Sequence, residues 1–408
     1  MSLRARWQVA ASLVARTRDV LDARPGDERH SGDDGIPAAL ASRGWAGFLL
    51  SVGDERVEAF EAGGRDADWR DAPPSLAALV EEIREVCALP SFVDAESVAP
   101  DAPVRPARTL ETPRKRAQID AFARVIVPLA SRATRVVDVG SGHGHLTRAI
   151  AERIARPVVG LERDGALARR ARALPSDGDA VFAVTDVLRD GLRFTVGDCA
   201  IGLHACGELG DAMVESAGRV DGRGSIALVG CCLQKRRAAS RGAFVSDHAL
   251  GDALDLPRPM LGLSNLTPRD DGVEATRADN LAGRQRRLAL HRLLSARVGA
   301  LRLGAEIDGL NRRAAHGELA SLVARAFAHR GLDVPSRSEI GEAAAWARGA
   351  HARSRRLSLP RSMLARVLEV FVALDRAVYL EERGFTASVG TVFAPSVSAR
   401  NLAVLAWR

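Results

Sequence analysis

Two parts of this sequence combine residue types and spacings that can do chemistry. The first is Val136-Val137-Asp138-Val139-Gly140-Ser141-Gly142-His143-Gly144-His145-Leu146. An apolar run enters three alternating glycines, and a helical stretch leaves them. Glycines so placed let the backbone turn tightly and approach a ligand closely. The helix start that follows offers unpaired N–H groups. The pattern is not G-x-G-x-x-G, because position 145 is His, and no G-K-S/T follows as in a P-loop.

The second part is a pair of segments, Leu203-His204-Ala205-Cys206-Gly207 and Val229-Gly230-Cys231-Cys232-Leu233-Gln234-Lys235. They contain three of the chain's five cysteines and one histidine. The imidazole of His204 suits proton transfer or ligand contact near neutral pH. Cys206 is a nucleophile if its thiol is ionised, and otherwise a small residue at a crowded strand end. Cys231, Cys232 and Lys235 are candidate substrate contacts. Lys235-Arg236-Arg237, followed by Arg241, fits either a phosphate-binding segment or a solvated loop. Adjacent cysteines depart from the C-x₂₋₄-C spacing of zinc sites, so no metal is expected. The same holds for His143 and His145, whose spacing assigns them to a first helical turn.

These residues need a frame. From residue 135, short apolar runs alternate with helical stretches: Val136–Val139, Val158–Leu161, Ala180–Val184, Cys199–Leu203 and Ile226–Val229. The alternation predicts a parallel, doubly wound α/β sheet, whose ligands lie beyond the carboxyl ends of the strands. Both segments of interest end such runs. After about residue 280 the pattern is helical over Arg284–Val298, Glu318–His329, Glu339–His351 and Ser362–Glu382. Thr386–Phe393 and Leu402–Trp407 then read as a β-hairpin. Residues 1–22 read as a folded amphipathic helix rather than a targeting peptide. Leu76–Leu89 is a helix, and Pro100, Pro103, Pro106 and Pro113 mark a linker. The expected domains are a helix-rich region over 1–108 and an α/β domain over 109–408, with a helical insertion at about 300–360.

The 408 residues carry 58 basic and 51 acidic side chains, for a net charge of +7. That balance favours polyanionic partners weakly. Only Lys115 and Lys235 are lysines, and so strong an arginine skew fits a GC-rich genome better than a dedicated nucleic-acid surface. A 47% hydrophobic content excludes disorder and a disulfide-built miniature fold. No apolar run approaches the ~18 residues of a membrane span. Few, irregularly spaced cysteines fit a reducing compartment, so the expected location is the cytoplasm.

The glycine loop resembles motif I of the class I S-adenosylmethionine-dependent methyltransferases. Glu162, 22 residues after Gly140, ends the second run, where an acid can accept from ribose hydroxyls. Asp186 ends the third, the position that in these enzymes faces the adenine amino group. A terminal hairpin is also what their Rossmann-like sheet adds. More specifically, Thr112–Ile119 resembles the K-K-x-H-E-I segment of the methyltransferase-like protein 25 family, and Asp138–Leu146 its D-I-G-S-G-K-G-H-L with His143 in place of the Lys. Leu203–Gly207 is similar to its L-H-A/T-C-G and Val229–Cys232 to its V-G-C-C. Leu374–Glu382 is similar to L-L-D-R-L-L-Y-L-Q-E, and Val397–Ala403 to L-S-P-R-N-L-A with Ala399 in place of Pro. A more distant likeness is to the tRNA acceptor-stem 2′-O-methyltransferases, whose C-C-H-H-R-C is here Cys231-Cys232-Leu233-Gln234. Their zinc-binding Cys/His segments are absent.

The resemblance implies a methyltransferase that binds S-adenosyl-L-methionine through Asp138, Gly140, Ser141, Gly142, Gly144, Glu162 and Asp186. His204 and Cys206 are then the catalytic candidates, and the expected acceptor is RNA. No N-P-P-Y/F follows the fourth run, so amino methylation of adenine is not implied. Three other readings stay open: a non-catalytic binding module on the same fold, a protein or small-molecule methyltransferase, and a cysteine-nucleophile pyrimidine methyltransferase.

Overall fold

The computed structural model describes residues 1–25, 35–93, 111–175, 178–245, 250–265 and 277–408. All five apolar runs are strands: β1 Arg135–Val139, β2 Val158–Glu162, β3 Ala180–Val184, β4 Asp198–Leu203 and β5 Ser225–Val229. Two short strands follow, β6 Ser240–Arg241 and β7 Leu256–Pro257, and pair with each other. The hairpin is β8 Thr386–Thr391 and β9 Leu402–Trp407. The main sheet has seven strands in the order β3-β2-β1-β4-β5-β9-β8. Its first five strands are parallel, and β9 lies antiparallel between β5 and β8. Val136, Val137 and Val139 in β1, and Cys199, Ala200 and Ile201 in β4, are all buried. Strands covered on both faces carry continuous rather than alternating apolar runs, which is why the sequence pattern was readable.

The chain forms two compact units, each assembled from separate segments. The first comprises residues 1–22, 74–268 and 361–408, and the second 23–73 and 269–360. These units divide the chain differently from the expected regions 1–108 and 109–408. Residues 1–22 and 74–93 belong with the sheet: Phe92 N donates to Thr391 O at 2.8 Å, and Thr391 N to Pro90 O at 2.9 Å, along β8. The helix Leu3–Arg16 is capped by Ser2 and buries Trp7 beside Phe371, with ring centroids 6.2 Å apart. The expected linker prolines 100, 103 and 106 lie outside the described residues.

The second unit is helical, with Arg277–Val298, Leu319–His329 and Arg337–Leu357 packed through Leu290, Leu294, Val323, Phe327 and Ala347. Ser336 and Glu339 close a capping box at the last of these helices. Arg355 pairs with Glu61 at 2.7 Å, joining the unit's two segments. The insertion is therefore larger than expected and recruits residues far upstream.

A buried ion cluster organises the end of the first unit that carries β4 and β5. Asp211 accepts from Arg236 at 2.5 Å, Arg376 at 2.9 Å and Arg241 at 3.3 Å. Asp375 takes Arg241 at 2.8 Å, together with the indole N–H of Trp7 and the backbone N–H groups of Phe244 and Val245. Burial alone would raise the Asp211 carboxyl, but Arg241, Arg376 and Arg236 hold it down at about 2. Such a group contributes stability above its unfolded value near 4, and that stability is lost as pH falls through the folded value.

Removing the hub leaves three guanidiniums crowded together. Asp211→Ala is expected to lower unfolding stability by roughly 3–5 kcal/mol in urea titration at pH 7. Arg219→Ala, which breaks an exposed pair with Glu215, should cost less than about 1 kcal/mol. Equal effects would show that the cluster holds nothing together.

Candidate active site

Gly140, Gly142 and Gly144 adopt φ of +75°, +57° and +74°, in the left-handed region where side chains are strained. The loop folds back on β2: Gly140 N and Ser141 N both donate to Leu161 O, at 2.9 and 3.0 Å. Glu162, at the end of β2, accepts from Gly142 N at 3.0 Å and from Asp164 N at 2.9 Å. A carboxylate offers about four lone-pair directions, so two remain for a ligand. The Ser141 hydroxyl is buried without a hydrogen-bond partner. Asp186 follows β3 and caps the next turn by accepting from Leu188 N at 3.1 Å.

Two of the expected loop residues also hold the loop itself together. Gly144 is glycine for packing, because a Cβ there would collide with the Phe182 ring. Asp138 lies beneath the loop, 2% exposed, and accepts from Thr147 Oγ1 at 2.6 Å. It fastens the loop to the helix His145–Ala151. Burial raises its carboxyl to about 6, against the opposing pull of Thr147 and Lys115.

The second cluster forms because β4 and β5 are neighbours in register, Leu203 opposite Val229. The loops that leave them must meet. His204 has φ +70°, the one positive φ outside glycine among the described residues. That costs on the order of 1 kcal/mol and marks a position the surroundings enforce. Its Nε2 lies 2.9 Å from Gln118 Oε1. Burial, then Lys115, Arg400, Arg114 and Lys235, lower its pKa to about 4. The sulfurs of Cys206, Cys231 and Cys232 all lie within 4.8 Å of one another. The Cys231 thiol hydrogen bond, the Cys232 backbone N–H and the Lys235 charge lower the Cys206 thiol to about 6, and the same contact pushes Cys231 up. Arg400 Nη1 donates to Cys232 Sγ at 3.2 Å.

The basic run is mostly committed elsewhere. Arg236 and Arg241 are buried on Asp211, and Arg237 pairs with Glu208 at 3.3 Å. Lys235 alone of the four stays exposed and without an ion pair among the described residues. Three contributors escaped the site reading. Lys115 and Gln118 come from the helix Pro113–Ala130, and Arg400 from the loop before β9. Their signal was present, since both segments carried the family likeness, but nothing in their spacing ties them to His204.

Residues 114–239 match the family model described as a methyltransferase domain. The parallel sheet closed by an antiparallel hairpin is the class I, Rossmann-like arrangement. Among solved structures the chain is similar to the plantazolicin methyltransferase BpumL in complex with a monoazolic desmethylPZN analog and SAH. The identity is 15% over 28% of this chain and 46% of that one, with a TM-score of 0.23. A TehB-like SAM-dependent methyltransferase from Corynebacterium glutamicum gives 23%, 26% and 61%, with a TM-score of 0.21. Magnesium protoporphyrin IX methyltransferase from Synechocystis gives 17%, 30% and 62%, with a TM-score of 0.23. Each match spans less than two thirds of the other protein, and overlap this slight transfers no property to the present chain.

The raised Asp138 pKa predicts a pH signature. Its favourable, protonated state is fully present below about pH 4 and is lost as pH rises through 6. Between pH 4 and 7.5, Asp138→Asn should therefore gain about 2 kcal/mol relative to wild type in denaturant titrations. A difference that stays flat with pH would mean that Asp138 titrates normally.

Proposed function

We propose that the chain is an S-adenosyl-L-methionine-dependent methyltransferase whose acceptor is RNA. The glycine loop, the spare lone pairs of Glu162, the unpartnered Ser141 hydroxyl and Asp186 suit the amino-acid, ribose and adenine parts of that cofactor. The cofactor supplies an already activated methyl group, so the protein's task is to align an acceptor and exclude water.

The observation that carries the acceptor class is the ring of cations at His204. Lys115, Arg114, Arg400 and Lys235 all act on this one imidazole. Arg114 is held there by its bond to Val397 O at 2.9 Å, and Arg400 by Cys232. Four cations acting on His204, which directly follows β4, suit a phosphate-bearing substrate. The net charge of +7 agrees, as does the likeness to the methyltransferase-like protein 25 and tRNA 2′-O-methyltransferase families. With Gln118 Oε1 accepting from Nε2–H, the Nδ1 lone pair of His204 is left to accept from an acceptor O–H or N–H. His204 thereby orients the acceptor, and Lys235 meets its backbone.

Calorimetric titration with S-adenosylhomocysteine should give micromolar binding. Gly140→Arg should abolish it, because the position has φ +75° and already lies against Leu209. Failure of the folded wild type to bind would leave a non-catalytic module. Radiolabelled methyl transfer should then reach an RNase-sensitive fraction; label in protein or small molecules would overturn the RNA acceptor. His204→Asn tolerates the backbone angle. It should keep cofactor affinity while lowering the transfer rate by about 10²-fold or more.

A further inference from the structure

Among the described residues, one group has the geometry to hold a metal ion: Cys206, Cys231 and Cys232. We propose that these three cysteines bind a thiophilic d¹⁰ cation, Zn²⁺, at the carboxyl ends of β4 and β5. Three sulfurs at about 2.3 Å from a tetrahedral zinc stand roughly 3.8 Å apart. The observed separations, all within 4.8 Å, close on such an ion with small side-chain rotations. The backbone is already set for it. The Lys235 carbonyl lies against Gly207, which takes φ +55° and has no room for a Cβ. Glu208 N donates to Lys235 O, and Lys235 N to Cys232 O, both at 3.0 Å. The first bond ties the two loops together, and the second closes the turn that carries Cys232.

The adjacency of Cys231 and Cys232, which argued against a metal in the sequence, is answered by the fold. The third sulfur comes from a different strand, so the ligand spacing is set by sheet register rather than by a C-x₂₋₄-C turn. Three thiolates around a dication leave one negative charge, and the Arg400 guanidinium already donates to Cys232 Sγ. Cationic donors to thiolate sulfur stabilise such a centre from its outer shell. Three protein ligands also leave one coordination position open, as in zinc sites that bind water or substrate. The remaining cysteines differ in kind: Cys87 and Cys199 are buried and stand apart from this group. A ligand role would compete with the nucleophile role of Cys206, because a bound dication draws electron density from the thiolate and lowers its nucleophilicity.

The proposal stands apart from cofactor binding and can fail separately. The full chain is purified under reducing conditions, stripped with chelator and titrated with Zn²⁺. Bound metal is measured by plasma mass spectrometry, and iodoacetamide labelling is mapped by peptide mass. About one Zn²⁺ per chain is expected, with Cys206, Cys231 and Cys232 protected from alkylation. Co²⁺ in its place should show thiolate-to-metal charge-transfer absorption. Cys206→Ser should weaken Zn²⁺ binding by about tenfold or more, whereas Cys199→Ala and Gly140→Arg should keep it. The footprint on wild-type protein needs no variant to fold. Protection by Cu⁺ but not Zn²⁺ would keep the thiolate site and assign it to the monovalent ion. No binding of either ion, undiminished binding by Cys206→Ser, or covalent capture of Cys206 by a fluorinated pyrimidine RNA would overturn the proposal.

Discussion

A single carboxylate, Asp211, sits at the convergence of three buried arginines, and the arrangement around the candidate site depends on it. Arg236 belongs to the loop after β5, Arg241 to β6, and Arg376 to the long helix Leu359–Glu381, which also reaches the Gly207 carbonyl. One anion therefore fixes the loop after β5 against the turn after β4. Buried ion pairs seldom win on energy alone, since desolvation offsets most of their attraction. Their use here is geometric: a hydrophobic contact would tolerate sliding, whereas a guanidinium shared between fixed oxygens does not.

The opposite electrostatic condition holds a short distance along the same loops. Around His204, Lys115, Arg400, Arg114 and Lys235 all act on the imidazole, and Lys115 is partly desolvated so that its own pKa falls. Lys115 acts both on Asp138 beneath the glycine loop and on His204. One residue of the helix Pro113–Ala130 thus lies within electrostatic reach of both the glycine loop's base and the turn after β4.

The sheet was legible because its central strands are covered on both faces and so read as unbroken apolar runs. The glycine loop was legible because left-handed backbone needs glycine, and Glu162 because it ends the neighbouring strand. Other features depend on contacts between residues distant in sequence. Nothing local says that residues 90–92 line the edge strand β8, or that residues 23–73 join a unit completed some 200 positions later. The arginines illustrate the limit best. Arg236, Arg237 and Arg241 look alike in a sequence with 56 arginines, yet two are sealed on Asp211 and one is paired at the surface. Their partners lie some 25 to 30 positions upstream, and only the fold supplies them.

The interleaving of the two units has a consequence for how the molecule is made. β5 and β9 hydrogen-bond side by side, but residues 230–401 separate them along the chain. During synthesis the parallel strands emerge first, and β5 waits with an open edge until the whole of 269–360 has been translated. The second unit is likewise incomplete after its first segment. Neither can finish before the other has been largely produced, so the pairings that close the sheet are among the most non-local in the molecule. Topologies of this kind fold slowly and leave strand edges exposed for longer.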